Sequence, residues 1–164
     1  AARLGTAQTN LGRTLQQLLD ASLLEREIPY GESLRTTKKT LYRIGDPALR
    51  FWFRVYSPQR TLWHQLTNKE KNKLLHDHAS TVFEDHCRMK HSDAARYWEA
   101  KAEFDFVRCE EKRLIVSEVK FKVLTKAERA RLETETIAKW QTSELGRKNP
   151  DARVEILDAS VLEG

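Results

Sequence analysis

The sequence predicts an α/β domain, a mixed sheet flanked by helices, preceded by a smaller element of one helix and a two-stranded ribbon. Three patterns lead there. Residues 103–107 and 114–121 are strand-like runs joined by the polar stretch Arg108-Cys109-Glu110-Glu111-Lys112-Arg113, which reads as a hairpin. A helical stretch over about 126–143 then leads into the alternating run Ala152-Arg153-Val154-Glu155-Ile156-Leu157-Asp158. Strand, helix and strand in that order imply parallel pairing with a right-handed crossover. Finally, residues 9–45 hold one helix and two extended runs.

The first helix is expected over 9–21, capped by Thr9 or Asn10, with Leu11, Leu15, Leu18 and Leu19 at helical spacing. Leu23 to Pro29 turns extended and Thr40-Leu41-Tyr42-Arg43-Ile44 returns as its partner. A helix followed by a ribbon is the back half of a winged helix, so residues 1–45 are read as a partial winged-helix element. Arg13, Gln16 and Gln17 would then face a DNA groove, with Arg35, Lys38 and Lys39 at the wing tip. A complete winged helix has two or three helices before the ribbon; this segment has one.

Residues 46–68 form a connecting helix and linker. Asp46 is a good N-cap and Pro47 suits the first turn. The aromatics Phe51, Trp52 and Tyr56 are expected to pack between modules. Arg50 and Arg54, four apart on one side, are candidates for phosphate contact, or are simply solvated. A longer helix follows over 69–91, with Leu75, Ala79, Val82, Phe83 and Cys87 as its buried stripe and Glu84 at the stripe's edge. His76, His78 and His86 lack zinc-site spacing and are expected to be ordinary helix residues. In the 126–143 helix, Thr125 caps, Ala130, Ile137 and Trp140 are the apolar positions, and Gly146 with Asn149-Pro150 ends it.

Composition bounds the function. The 164 residues are 40% hydrophobic and 32% charged, enough for one core or a core with a small appended module. No apolar stretch approaches the roughly 20 residues that cross a bilayer, so no membrane partner is expected. No signal-peptide pattern opens the chain, and it starts on Ala1 rather than Met, as expected of a fragment or a processed chain. Cys87 and Cys109 suggest no disulfide framework, and a cytoplasmic home is expected. The net charge of +5 lies wholly in residues 1–63, which carry ten Lys/Arg against five Asp/Glu. Such a surplus mildly favours a phosphate-bearing partner.

The chemistry concentrates on Asp105, Glu118 and Lys120. Side chains alternate along a strand, so Glu118 and Lys120 share a face, and Asp105 can meet them from the partner strand. Two carboxylates and an ammonium at a strand end suit metal-assisted phosphodiester cleavage. The carboxylates hold a divalent ion by oxygen, while the lysine positions or deprotonates a water and steadies charge on the phosphate.

The spacing D-x12-E-x-K between these strands resembles the PD-(D/E)XK nuclease superfamily, although Phe104 stands where that family usually has proline. The resemblance implies Asp105 and Glu118 as metal ligands, Lys120 as catalytic lysine, and Glu84 as a further glutamate that the preceding helix supplies to the metal site. It also implies a restriction-endonuclease-like core over 69–164, with Arg129 and Arg131 on the following helix as weak candidates near the phosphate. A second resemblance rests on Tyr42-Arg43-Ile44-Gly45-Asp46-Pro47-Ala48-Leu49-Arg50-Phe51-Trp52-Phe53-Arg54. Phe83-Glu84, Arg96-Tyr97-Trp98, Glu103-Phe104-Asp105 and Ser117-Glu118-Val119-Lys120 extend it. This block looks like the C-terminal region of archaeal-type AAA ATPases, where a winged helix precedes a nuclease-like domain, and the likeness runs from about Asn10 to Lys122. No G-x-x-x-x-G-K-[ST] phosphate loop is present, so ATP hydrolysis by that route is not expected.

The resulting expectation is a Mg²⁺- or Mn²⁺-dependent deoxyribonuclease acting on DNA, attached to an ATPase core in a longer parent. Pairing of two chains is left open. The competing expectation is a DNA-binding or interaction domain of an ATPase that cuts nothing.

Overall fold

The computed structural model describes residues 11–162. The proposed caps Thr9 and Asn10 lie outside the described residues. Helix α1 (Gly12–Asp20) leads to strands β1 (Leu24–Glu27) and β2 (Leu41–Ile44), an antiparallel ribbon in register from Leu24↔Ile44 to Glu27↔Leu41. Pro29 to Glu32 then turns tightly: Glu32 N–H donates to Pro29 O at 3.0 Å, and Gly31 takes a φ of 82° that L-residues avoid. This turn docks on the main sheet, because Tyr30 N–H donates to Arg96 O at 2.7 Å.

The connecting helix begins as expected. Asp46 accepts from Leu49 N–H at 2.8 Å and caps α2 (Pro47–Phe51). The helix then widens into a π turn over Trp52–Tyr56 before a short α3 (Ser57–Gln59). Burial here corrects the sequence reading. Trp52 and Phe53 are 49% and 59% exposed, whereas Arg50 is only 7% exposed. The reason is electrostatic: Arg50 turns inward to Asp85, leaving the aromatics to stack on one another. Trp52 lies 5.0 Å from Tyr56, and Tyr56 lies 5.5 Å from Trp63 between ring centroids.

The main sheet comprises β3 (Ala95–Trp98), β4 (Glu103–Glu110), β5 (Arg113–Lys120) and β6 (Arg153–Asp158), in that spatial order. Pairing is antiparallel between β3, β4 and β5, and parallel between β5 and β6, so the sheet is mixed as predicted. Strand β3 was not anticipated, because four residues of mixed polarity give little alternation to read. The β4–β5 turn is also tighter than its polar sequence suggests. Only Glu111 and Lys112 leave the strands, both at positive φ (48° and 68°), as a two-residue hairpin turn requires.

Helices cover both faces. Helix α4 (Asn68–Met89) opens on a reciprocal capping box between Thr67 and Glu70 and buries Phe83 and Cys87 against Phe106 and Val119. Helix α5 (Lys126–Thr142) opens on a second box, Thr125 with Glu128, and buries Trp140 against Phe104, Val107 and Val116. The expected stripes are partly out of phase. Leu75 and Ile137 are exposed and so is Ala130, while Asp85 and Thr136 are buried. In α4 the ion pairs of Asp85, rather than apolar spacing, set the rotation.

Helix α5 ends earlier than its glycine suggests. Ser143 turns extended and recaps a short α6 (Glu144–Lys148) by accepting from Gly146 N–H at 2.9 Å. Gly146 is required by close approach, since a Cβ there would collide with the Trp140 carbonyl oxygen. Gly146→Ala is therefore expected to destabilise the fold by about 3 kcal/mol in urea unfolding, the scale of overpacking a rigid backbone contact.

Candidate functional site

The site forms where the sheet forks. The β4–β5 ladder runs from Glu110↔Arg113 to Phe106↔Ser117. Beyond that, β4 continues paired to β3, and β5 continues paired to β6 as far as Lys120↔Asp158. Extending the register sets Asp105 across from Glu118 at the mouth of the fork. A bulge aims it there. Between Val107↔Ala95 and Phe104↔Tyr97, β4 holds two residues, Asp105 and Phe106, where β3 holds only Arg96. Phe104 and Val107 therefore share the α5-side core although they lie three apart, and Phe106 faces α4. Asp105 stands between the two faces. Its carboxylate accepts from Val119 N–H at 2.7 Å, taking the place of a ladder carbonyl.

Glu118 and Lys120 alternate onto the α5 side. Lys120 Nζ lies 2.8 Å from one Glu118 oxygen, and Lys139 Nζ, from α5, lies 3.2 Å from the other. Lys139 escaped the sequence reading, because helix position alone does not reveal which lysine reaches the sheet. On the opposite side, Glu84 of α4 lines a cavity of about 120 Å³ together with Asp105 and the guanidinium-bearing Arg54 and Arg96.

Crowding shows in the proton affinities. Burial, and then the charge of Glu118, pushes the Asp105 carboxyl up to about 6. Burial, and then the charge of Asp105, pushes Glu84 up to about 7. Burial alone would lower Lys120, but its hydrogen bond to Glu118 and the charges of Glu118, Asp105 and Glu84 outweigh it and raise it. Lys120 is therefore a firm ammonium. Asp105, Glu118, Lys120 and Lys139 thus meet at the fork, and Glu84 faces Asp105 from the α4 side.

A divalent ion is tested by this donor set. Among the described residues, no three His, Cys, Asp or Glu side chains gather closely enough to cage an ion. Asp105 and Glu118 face across the fork and offer only oxygen, the donor type that a hard cation such as Mg²⁺ takes, although both Glu118 oxygens are held by Lys120 and Lys139. Such an ion keeps most of its shell as water and substrate phosphate rather than protein. Asp105 and Glu118 are the residues that would hold it, with Glu84 behind them. The histidines do not compete for this role. His78 packs edge-on to Phe51, His76 lies against Phe121, and His86 is exposed.

The expected DNA-contacting residues divide into two kinds. Arg13, Lys38, Arg54 and Arg131 are exposed, Arg131 being paired with Glu135 at 2.7 Å; Lys39 pairs with Glu32 at 3.2 Å. Arg50 and Arg129 differ from expectation. Arg50 binds Asp85 at 2.6 Å, and Arg129 binds Asp158 at 2.6 Å and the Ile156 carbonyl. The Arg50 guanidinium is buried on its internal acceptors, whereas Arg129 makes its internal pair with a side chain that stays 42% exposed. Asp85, missed from sequence as one more helix acid, is the hub beside the site. It accepts from Arg43, Arg50 and Arg88 at 2.6, 2.6 and 2.9 Å. Burial works against its charge, but the Arg50 and Arg43 hydrogen bonds hold its carboxyl below the usual range.

Comparison with known proteins adds one finding. A family described as archaeal and bacterial proteins of unknown function (DUF234) is similar to this chain over residues 52–132. That segment carries Glu84, Asp105, Glu118 and Lys120, and stops short of Lys139. No curated protein and no solved structure matches the chain. Among the described residues, no helix is long and apolar enough to cross a membrane.

Two measurements follow. Asp85→Ala leaves the buried Arg50 and the half-buried Arg43 and Arg88 without their shared partner, and is expected to cost about 3 kcal/mol in urea unfolding. For Glu84, a raised carboxyl means that the fold holds a proton the unfolded chain releases. Its stability is thus fullest below the ordinary value of 4.5 and is lost as pH rises through about 7. In metal-free buffer, Glu84→Gln should match the parent near pH 4 and exceed it by roughly 1 kcal/mol at pH 8, a figure reduced for solvent screening. An equal difference at both pH values would show that the carboxyl is unperturbed.

Proposed function

We propose that this chain is the phosphodiester-cleaving domain of a DNA-processing protein, a PD-(D/E)XK-type nuclease that works with Mg²⁺ or Mn²⁺ alongside an ATPase core. The observation that carries the reading is the bulged Asp105 set across from Glu118 at the sheet fork, with the Lys120 ammonium beside them. Bound there, the ion supplies Lewis-acid polarisation of the phosphate and a more acidic water.

The chain's own residues divide the remaining work. Asp105 is fixed by Val119 N–H, so one of its oxygens keeps a constant direction into the fork. Lys120 stays protonated at neutral pH; it orients the attacking water and neutralises charge growing on the phosphoryl oxygens, rather than removing a proton. Glu84, held near 7, is the group matched to accept the proton from that water at working pH. The exposed Arg54 and Arg131 are the basic side chains available to phosphates around the site. The winged-helix reading of residues 1–45 belongs to this proposal, with Arg13 and Lys38 as the DNA-facing residues of the ribbon element.

One observation favours a second reading, a non-cutting domain that only binds DNA: both Glu118 oxygens are already held by lysines. A single assay separates the two. Supercoiled and branched DNA incubated with the chain should be cut only with Mg²⁺ or Mn²⁺, and Asp105→Ala or Lys120→Ala should lower the rate by about a hundredfold or more. Cleavage that survives both substitutions sinks the proposal. Salt-sensitive DNA binding without any cleavage selects the second reading.

A further inference from the structure

Glu118 is gripped from two sides, and the second grip has no counterpart in the nuclease pattern of two acids and one lysine. Lys120 comes from the same strand, two residues on, and holds Oε1 at 2.8 Å. Lys139 comes from α5 and holds Oε2 at 3.2 Å. Its side chain is 34% exposed against 15% for Glu118, so this contact is only partly screened by water. The position is not accidental to the helix. Trp140, the next residue, is buried against Phe104 at 5.4 Å and fixes the rotation of α5 that turns Lys139 toward the sheet. The Lys139 ammonium also stands 4.6 Å from the centroid of the Phe104 ring. That ring face gives it a second attraction, one that does not involve Glu118.

We propose that Lys139 is a built-in counter-cation of the site, which shares Glu118 with Lys120 and gives up that carboxylate when a divalent ion takes it. The inference rests on the metal-binding reading of Asp105 and Glu118 and adds a determinant of ion affinity. A carboxylate whose two oxygens both accept from ammoniums has its charge largely neutralised, and a cation must compete with them for it. Lys120 cannot yield without losing its place beside the reacting phosphate. Lys139 can, because the Phe104 face retains it nearby. In that released state it becomes a cation at the edge of the fork, free to meet the phosphate that arrives with the ion. The consequence is thermodynamic: a divalent ion that takes Glu118 competes with the Lys139 contact, so Lys139 tunes the site's affinity from outside the ligand set.

The test is Mn²⁺ binding to the full chain, followed by calorimetry and by the electron paramagnetic resonance of free Mn²⁺, with circular dichroism to confirm folding. Lys139→Met keeps the apolar stem and removes the charge. It is expected to tighten Mn²⁺ by about tenfold, the scale of one like-charge contact in a half-buried site. Lys139→Arg keeps the charge and should stay within about twofold of the parent. A parent that binds no Mn²⁺ while Lys139→Met does also supports the inference. Unchanged or weakened affinity in a folded Lys139→Met overturns it and leaves the metal reading standing. Absence of Mn²⁺ binding in both proteins overturns the inference and the metal reading together.

Discussion

Asp85 beneath three guanidinium groups is the constraint on which the rest of the molecule depends. Arg43 comes from β2, Arg50 from α2 and Arg88 from α4 itself, so one carboxylate ties the N-terminal ribbon and the connecting helix to the sheet-covering helix. Glu27 of β1 completes the network from the other side, 2.9 Å from Arg43 and 2.8 Å from Arg88. Buried ion networks add little net stability compared with apolar packing, but they tolerate few alternative arrangements, since any other leaves a charge without a partner. Here that intolerance sets the rotation of α4. With Asp85 turned to the arginines and Phe83 to the core, Glu84 between them lies along the cavity that holds Asp105. The same network explains why an arginine is buried in α2 and tryptophan is left outside.

The second constraint is the β4 bulge. A regular strand would carry Phe104, Phe106 and Arg108 to one face and Asp105 and Val107 to the other. The extra residue breaks that alternation where β4 and β5 separate, and frees Asp105 from both cores. Its carboxylate then repairs the backbone at the fork by accepting from Val119 N–H. Placing an acid there costs desolvation and repulsion, visible in the raised carboxyls of Asp105 and Glu84. Two lysines offset part of it.

Much of this was legible in the chain. The hairpin, the parallel return of β6, the caps at Asp46 and Thr125, and the ribbon of β1 and β2 follow from local chemistry, which acts over a few residues and leaves a readable pattern. The placement of Asp105 across from Glu118, with Lys120 beside it, was legible for the same reason: alternation and hairpin register are short-range rules. The buried stripes of α4 and α5 were only partly so. Periodicity identifies apolar residues but not a buried Asp85, which is inside because of partners distant in sequence. Strand β3 is four residues long and owes its place to β4 on one side and the Tyr30 turn on the other.

By itself, then, the sequence determined the kinds of element, their order and the pair of acids that meet across the hairpin, since propensity, capping and strand alternation are properties of neighbours. The tertiary structure alone decided that Arg50 turns inward, that Arg129 pairs with Asp158, that Asp85 organises three arginines, and that Lys139 reaches Glu118. Those outcomes depend on charges brought together from positions tens of residues apart. Which oxygen a given ammonium meets is settled only when the helices have packed.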